Sequence, residues 1–171
     1  MPRKQKNFDQ EEQIDDFLAK RKIPVKIKAD APEFIPKFKS KGAAAADLVA
    51  NIPTNDAGHN FVSIMPNQVE IIDVGFAMSL PLGWEAQIRV RSGLASQGLQ
   101  VTNSPGTIDC DYFGRIKVIV NSTSKNIIRI THGDRFAQIL VKPVWQIDWI
   151  EVDELEINSD RGTKGFGSTG K

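Results

Sequence analysis

The chain has 171 residues, of which 40% are hydrophobic and 25% charged, a composition that suits one globular domain and not a disordered or fibrous chain. Lys and Arg number 22 against 21 Asp and Glu, so no global field draws it to nucleic acid or to an anionic membrane, and any phosphate must be bound by a local arrangement. The single cysteine, Cys110, excludes an intramolecular disulfide, argues against a cysteine-based metal site and fits a reducing, cytoplasmic setting.

Residues 7 to 22 read as a short helix, with Asn7 as its cap and Ile14, Phe17 and Leu18 sharing a face. The residues before it lead into acidic ones and not into an apolar signal core. No stretch approaches the ~20 apolar residues of a membrane span, so no membrane partner is expected. From Ile23 the pattern changes to short runs rich in Val and Ile, separated by Pro, Gly and Asn at intervals of about ten residues. Residues 51 to 61 are polar and turn-forming and read as a surface loop with no chemistry of its own. His59, within it, and His132 lack ligand spacing and read as solvated loop residues.

The clearest strand is Trp84 to Val90, where Trp84, Ala86, Ile88 and Val90 alternate with Glu85, Gln87 and Arg89, predicting one buried and one wet face. Residues 69–76, 115–120, 126–130 and 136–141 are further strand candidates, and Trp145, Ile147 and Trp149 repeat the alternation. The expected fold class is all-β, a jelly-roll-like sandwich or barrel preceded by the short helix. Three parts follow: a helical extension over 1–22, the β domain over 23–152, and a glycine-rich arm over 153–171 that should be mobile by itself.

Two segments carry candidate chemistry. Gly165 to Lys171 has the spacing of a phosphate loop but lacks the preceding strand, the following helix and the magnesium-binding hydroxyl, so that match is spurious. What remains is an arginine, an aromatic ring and small residues whose amides can approach a polyphosphate. The second segment, Thr107-Ile-Asp-Cys-Asp-Tyr-Phe-Gly114, follows the turn Asn103-Ser-Pro-Gly106. On a hairpin, Asp109 and Asp111 would share a side and crowd, or one would be spent on a hairpin hydrogen bond; a solvated Asp-rich turn is the plain alternative.

Taken together, five segments in order resemble the five motifs of the trimeric dUTPase family. They are Gly42-Ala-Ala-Ala-Ala-Asp-Leu48, Arg91-Ser-Gly-Leu-Ala95, Gly106-Thr-Ile-Asp-Cys-Asp-Tyr112 with Gly114, Gly133-Asp-Arg-Phe-Ala-Gln138, and Arg161-Gly162 with Gly165-Phe-Gly-Ser-Thr-Gly170. The resemblance spans residues 23 to 171. It implies a β jelly roll that forms a homotrimer, with each active site shared between subunits and closed by the C-terminal arm of one of them. The implied activity is magnesium-dependent hydrolysis of dUTP to dUMP and pyrophosphate, which keeps uracil out of DNA and supplies dUMP for thymidylate synthesis.

The resemblance also implies roles. Asp109 is the general base that activates water for attack on the α-phosphate, while Mg2+ bridges the phosphates. Asn103 reads uracil within a hairpin slot that includes Gly106 and Ile108, and Tyr112 packs under the deoxyribose and excludes a 2′-hydroxyl. Arg91, Ser92, Gly93 and Gln138 contact the phosphates. From the arm, Arg161 grips the γ-phosphate, Phe166 stacks on the base, and Gly167, Ser168 and Thr169 approach the phosphates. Asp47 belongs to the metal region through water. Phe113, Val90 and Ala46 depart from the family's usual residues without removing a catalytic group. Two rivals are dCTP deaminase, which needs a pyrimidine-pocket glutamate that Asp109-Cys-Asp-Tyr112 does not supply, and a nucleotide-gated scaffold whose protein partner would meet residues 1–22 or 51–61.

Overall fold

The computed structural model describes residues 13, 15, 18, 20–156, 162 and 163. Among the described residues ten strands appear in chain order: β1 (Lys26–Ala29), β2 (Ala46–Val49), β3 (Phe61–Ile64), β4 (Val69–Ser79), β5 (Trp84–Val90), β6 (Leu99–Val101), β7 (Gly106–Ile108), β8 (Arg115–Ser122), β9 (Ile128–Thr131) and β10 (Arg135–Pro143). A 3-10 turn, Pro32–Phe34, follows β1, and a single helical turn, α1 (Ser92–Ala95), follows β5. The strands form two antiparallel four-stranded sheets, ordered β1-β4-β8-β6 and β2-β10-β5-β7, and a two-stranded ribbon, β3-β9. The all-β expectation holds.

One core joins the two sheets. On β8, Ile116, Val118 and Val120 point inward with Ser122, and they share a cluster with Phe76 of β4, Ile88 of β5, Leu48 of β2 and Phe136 of β10. The period-two pattern of β8 is the reason, since every second residue must leave water together. β4 departs from that period. Its register against β8 shifts between Asp73 and Ala77, a bulge at which Gly75 adopts φ +79° and a side chain would strike the Phe34 ring. The Gly75 amide donates to Asp73 Oδ1 at 2.6 Å, which closes the bulge.

The expected strand at 84–90 is observed with those bounds, but its outer face is not uniformly wet. Gln87 is buried, because β5 lies between β10 and β7 and neighbouring side chains cover it. It remains satisfied: its amide donates to Glu85 at 2.9 Å and accepts from Arg89 at 3.1 Å. The alternation of Trp145, Ile147 and Trp149 does not yield a strand. Residues 144–150 run without strand pairing, and the three side chains are 89%, 67% and 83% exposed. A strand needs backbone partners, and among the described residues this segment has no strand beside it.

Of the expected helix over 7–22, Gln13, Asp15 and Leu18 are helical, Lys20 lies in a turn, and most of the rest falls outside the described residues. The loop expectation for 51–61 holds up to Phe61, which opens β3; Asn55 organises it by accepting from the amides of Ala57 and His59. His132 is less idle than a solvated histidine, since its Nδ1 accepts from the Ile52 amide at 3.2 Å and its ring meets Phe34 edge-on.

Candidate active site

Two groups of polar residues lie at opposite ends of β5. At one end, the chain leaves β7 at Ile108 and turns, with the Tyr112 amide donating to the Asp109 carbonyl at 3.2 Å. That turn ends the strand alternation at Ile108, so the same-side argument for Asp109 and Asp111 does not apply, and the alternative of a solvated Asp-rich turn describes the segment. Both carboxylates are exposed. Asp109, Tyr112, Ile108 and Thr107 line a cleft of about 460 Å³ together with Arg115 and residues of β4 and β8. Asn103 occupies the turn before β7, and its side-chain amide stands beside Gly106. The short strand Gly106–Ile108, about 10 Å long at ~3.3 Å per residue, thus has Asn103 at one end and Asp109 at the other.

The Tyr112 hydroxyl donates to the Arg115 carbonyl at 3.0 Å. Gly114 makes that geometry possible, because a Cβ there would stand 2.5 Å from the tyrosine oxygen. Arg115 itself is held by two carboxylates: its guanidinium donates to Asp73 at 2.7 and 2.8 Å and to Asp30 at 2.8 and 2.9 Å. The hydrogen bond from Arg115 holds the Asp30 carboxyl below its usual range. Burial opposes ionisation of Asp73, but the Arg115 fork and the Gly75 amide outweigh it, so that pKa is also lowered.

Lowered carboxyl values give this clamp a pH signature. A carboxyl whose folded pKa lies below its unfolded one contributes stability that is present above the unfolded value and lost as the pH falls through the folded one. The melting-temperature gap between the parent and Asp73→Asn is therefore expected to be full above about pH 5 and to shrink steadily below about pH 3.9. Thermal melts across pH 3 to 7 check this, and a gap independent of pH would contradict it.

The second group gathers where β2, β10 and the end of β5 meet. Asp47 pairs in register with Gln138, and its carboxylate binds Arg135 at 2.9 Å and Arg91 at 3.4 Å. Arg91 also donates to the Arg135 carbonyl at 2.7 Å, and the Gln138 amide donates to the Val90 carbonyl at 3.4 Å. Ser92 and Gly93 begin α1 directly after Arg91 and are exposed. Two guanidinium groups on one carboxylate leave a local excess of positive charge, the kind of arrangement that an almost neutral chain requires for binding phosphate. The family resemblance implies no role for Arg135, and its position three residues before Gln138 is the one sequence signal that places it here.

These two groups do not meet within one chain. Ala86 pairs with Ile108 and Ile88 with Gly106, so Asp109 extends past the Ala86 end of β5 while Arg91 lies five residues the other way, about 17 Å along the strand. Asn103 and Asp109, at the two ends of β7, therefore both lie apart from this chain's own Arg91.

The model of the dUTPase family matches residues 33–170. The chain belongs to the dUTPase family. It is 43% identical over 153 residues to the deoxyuridine 5'-triphosphate nucleotidohydrolase of Maricaulis maris, covering 86% of this chain and 97% of the relative. It is 44% identical over 156 residues to that of Corynebacterium glutamicum, covering 90% and 97%. Among solved structures, the Staphylococcus bacteriophage 80alpha dUTPase with dUPNHPP is similar in fold, with a TM-score of 0.71, 24% identity, and coverage of 86% of this chain and 99% of that one. A phage phi11 dUTPase mutant described with a structural Mg(II) ion gives a TM-score of 0.62 at 19% identity, covering 77% and 97%.

Arg161, Phe166, Gly167, Ser168 and Thr169 lie outside the described residues. Among the described residues no group of three or more His, Cys, Asp or Glu side chains is disposed to hold a metal, and both oxygens of Asp47 already face arginines. The donor set therefore suits a cation carried on substrate phosphates and not a protein-built cage. No helix among the described residues is long and apolar enough to cross a membrane.

Proposed function

We propose that this chain hydrolyses dUTP to dUMP and pyrophosphate in a homotrimer whose active sites are each assembled from several subunits. The observation that carries the reading is the convergence of Ile108, Asp109 and Tyr112 on one cleft, in a chain of the dUTPase family. Asp109 takes a proton from a water that attacks the α-phosphorus; the bond from that phosphorus to the α–β bridging oxygen breaks and pyrophosphate departs. Magnesium, when bound with the triphosphate, offsets phosphate charge. Asn103 reads uracil, and the Tyr112 ring supports the deoxyribose. Cytosine reverses donor and acceptor at the pyrimidine edge, leaving buried groups unpaired at about 1–3 kcal/mol each.

Arg91, Ser92, Gly93 and Gln138, with Arg135, receive the phosphates of a nucleotide seated on a neighbouring subunit's cleft. Asp47 holds Arg91 and Arg135 in place for this and would meet magnesium only through water. The trimer is supported by two features: the separation of the half-sites along β5, and the exposed run of Trp145, Ile147, Trp149, Ile150, Val152 and Leu155, too much apolar surface for a lone chain to leave in water. The arm over 153–171 closes the site of another subunit, where Arg161 grips the γ-phosphate, Phe166 stacks on the base, and Gly167, Ser168 and Thr169 line the phosphates. The extension over 1–22 lies outside the catalytic β domain, 23–152.

Pyrophosphate release from dUTP, dCTP, dTTP and UTP with magnesium tests the activity. Selective cleavage of dUTP is expected; ammonia release from dCTP without pyrophosphate would identify a deaminase instead.

A further inference from the structure

We propose that Arg115, clamped between Asp30 and Asp73, is a positioning residue that sets the enzyme's discrimination between deoxyribose and ribose. The inference rests on the reading of Tyr112 as the sugar gate. A gate that excludes one hydroxyl group must hold its ring to within a fraction of an ångström, yet Tyr112 lies on a turn and is half exposed. Among the described residues its hydroxyl is anchored by the carbonyl of Arg115 at 3.0 Å. The anchor is useful only if that backbone is itself fixed.

Four hydrogen bonds fix it from the side-chain end. The Arg115 fork meets Asp73 from β4 and Asp30 from the loop after β1, both in paired geometry. Each carboxylate is held in turn. Asp73 accepts from the Gly75 amide at 2.6 Å within the β4 bulge, and Asp30 accepts from the Asn51 side chain at 3.0 Å. Backbone bonds close the frame, from the Asp30 amide to the Gly75 carbonyl at 2.9 Å and from the Asn51 amide to the Asp73 carbonyl at 2.8 Å. The β4 bulge brings Asp73 beside Arg115, which pairs with Ala77 two residues out of the regular register. Planar, bidentate recognition is arginine's property and is not reproduced by lysine.

The test measures kcat/KM for dUTP and UTP in the parent, Tyr112→Ala, Asp30→Asn, Asp73→Asn and Arg115→Lys, with a thermal melt of each. Tyr112→Ala is expected to raise the UTP-to-dUTP ratio strongly. Asp73→Asn and Arg115→Lys should raise it about tenfold, and Asp30→Asn, which leaves the Asp73 contacts intact, by about threefold. A purely structural role would lower the melting temperature and scale both substrates equally, leaving the ratio flat; with Tyr112→Ala still changing the ratio, that result overturns the clamp alone. A flat ratio in Tyr112→Ala removes the sugar gate and the clamp with it. Asp30→Asn keeps the test decisive if Asp73→Asn does not fold.

Discussion

With Asp109 as the proposed general base, Asp109→Asn is expected to lower kcat for dUTP by about 10²–10⁴-fold while the nucleotide still binds, because a positioned base is worth that much and an amide cannot accept the water's proton. The substitution is nearly isosteric. Asp109 is exposed at the mouth of its cleft, contributes nothing to the core, and bears on local structure through its carbonyl, which accepts from the Tyr112 amide whichever side chain is present. The expected pattern is a lower kcat with little change in the affinity for a non-hydrolysable dUTP analogue, measured by pyrophosphate release and calorimetry. Retained turnover would move the base elsewhere, and Asp111 would be the first residue to test.

With the proposed trimer resting on this apolar run, Trp145→Ser combined with Trp149→Ser is expected to abolish assembly at micromolar concentration and activity with it. Each tryptophan offers about 150–250 Å² to a neighbour, about 4–6 kcal/mol at ~25 cal/mol per Å² as an upper limit. Even a third of that per residue, repeated on three subunits, weakens association by several powers of ten. The β domain should remain folded, since residues 144–150 join no sheet and neither side chain touches the core. Light scattering should find monomers of native circular dichroism. A double variant that remains trimeric and fully active would show that the apolar run has another purpose.

The two cases show what the sequence could and could not disclose. Trp84–Val90, 69–76 and 115–120 were legible because alternation reports a buried face whose partner strands belong to the same chain. The alternation at Trp145, Ile147 and Trp149 was equally legible, yet no strand formed, because alternation specifies a face and not what covers it. Gln87 reads as wet from its position, and only the sheet order, with β5 between β10 and β7, buries it. The motif residues of the site came through the family pattern. Arg115, Asp73 and Asp30 did not, since ion pairs spanning 42 and 85 residues leave no local periodicity. The distance between Asp109 and Arg91 was likewise invisible until the register of β5 against β7 was known.

The central claim is that one subunit's Asp109 works with another's Arg91, and complementation tests it most directly. Asp109→Asn and Arg91→Ala chains, each inactive alone, are unfolded together, refolded as mixed trimers and assayed for pyrophosphate release. In a cyclic trimer every mixed assembly carries one site with both residues intact, so an equal mixture should recover about a quarter of the parent activity. Mixed trimers that stay as inactive as either parent variant would place both residues in the same chain's site and contradict the account.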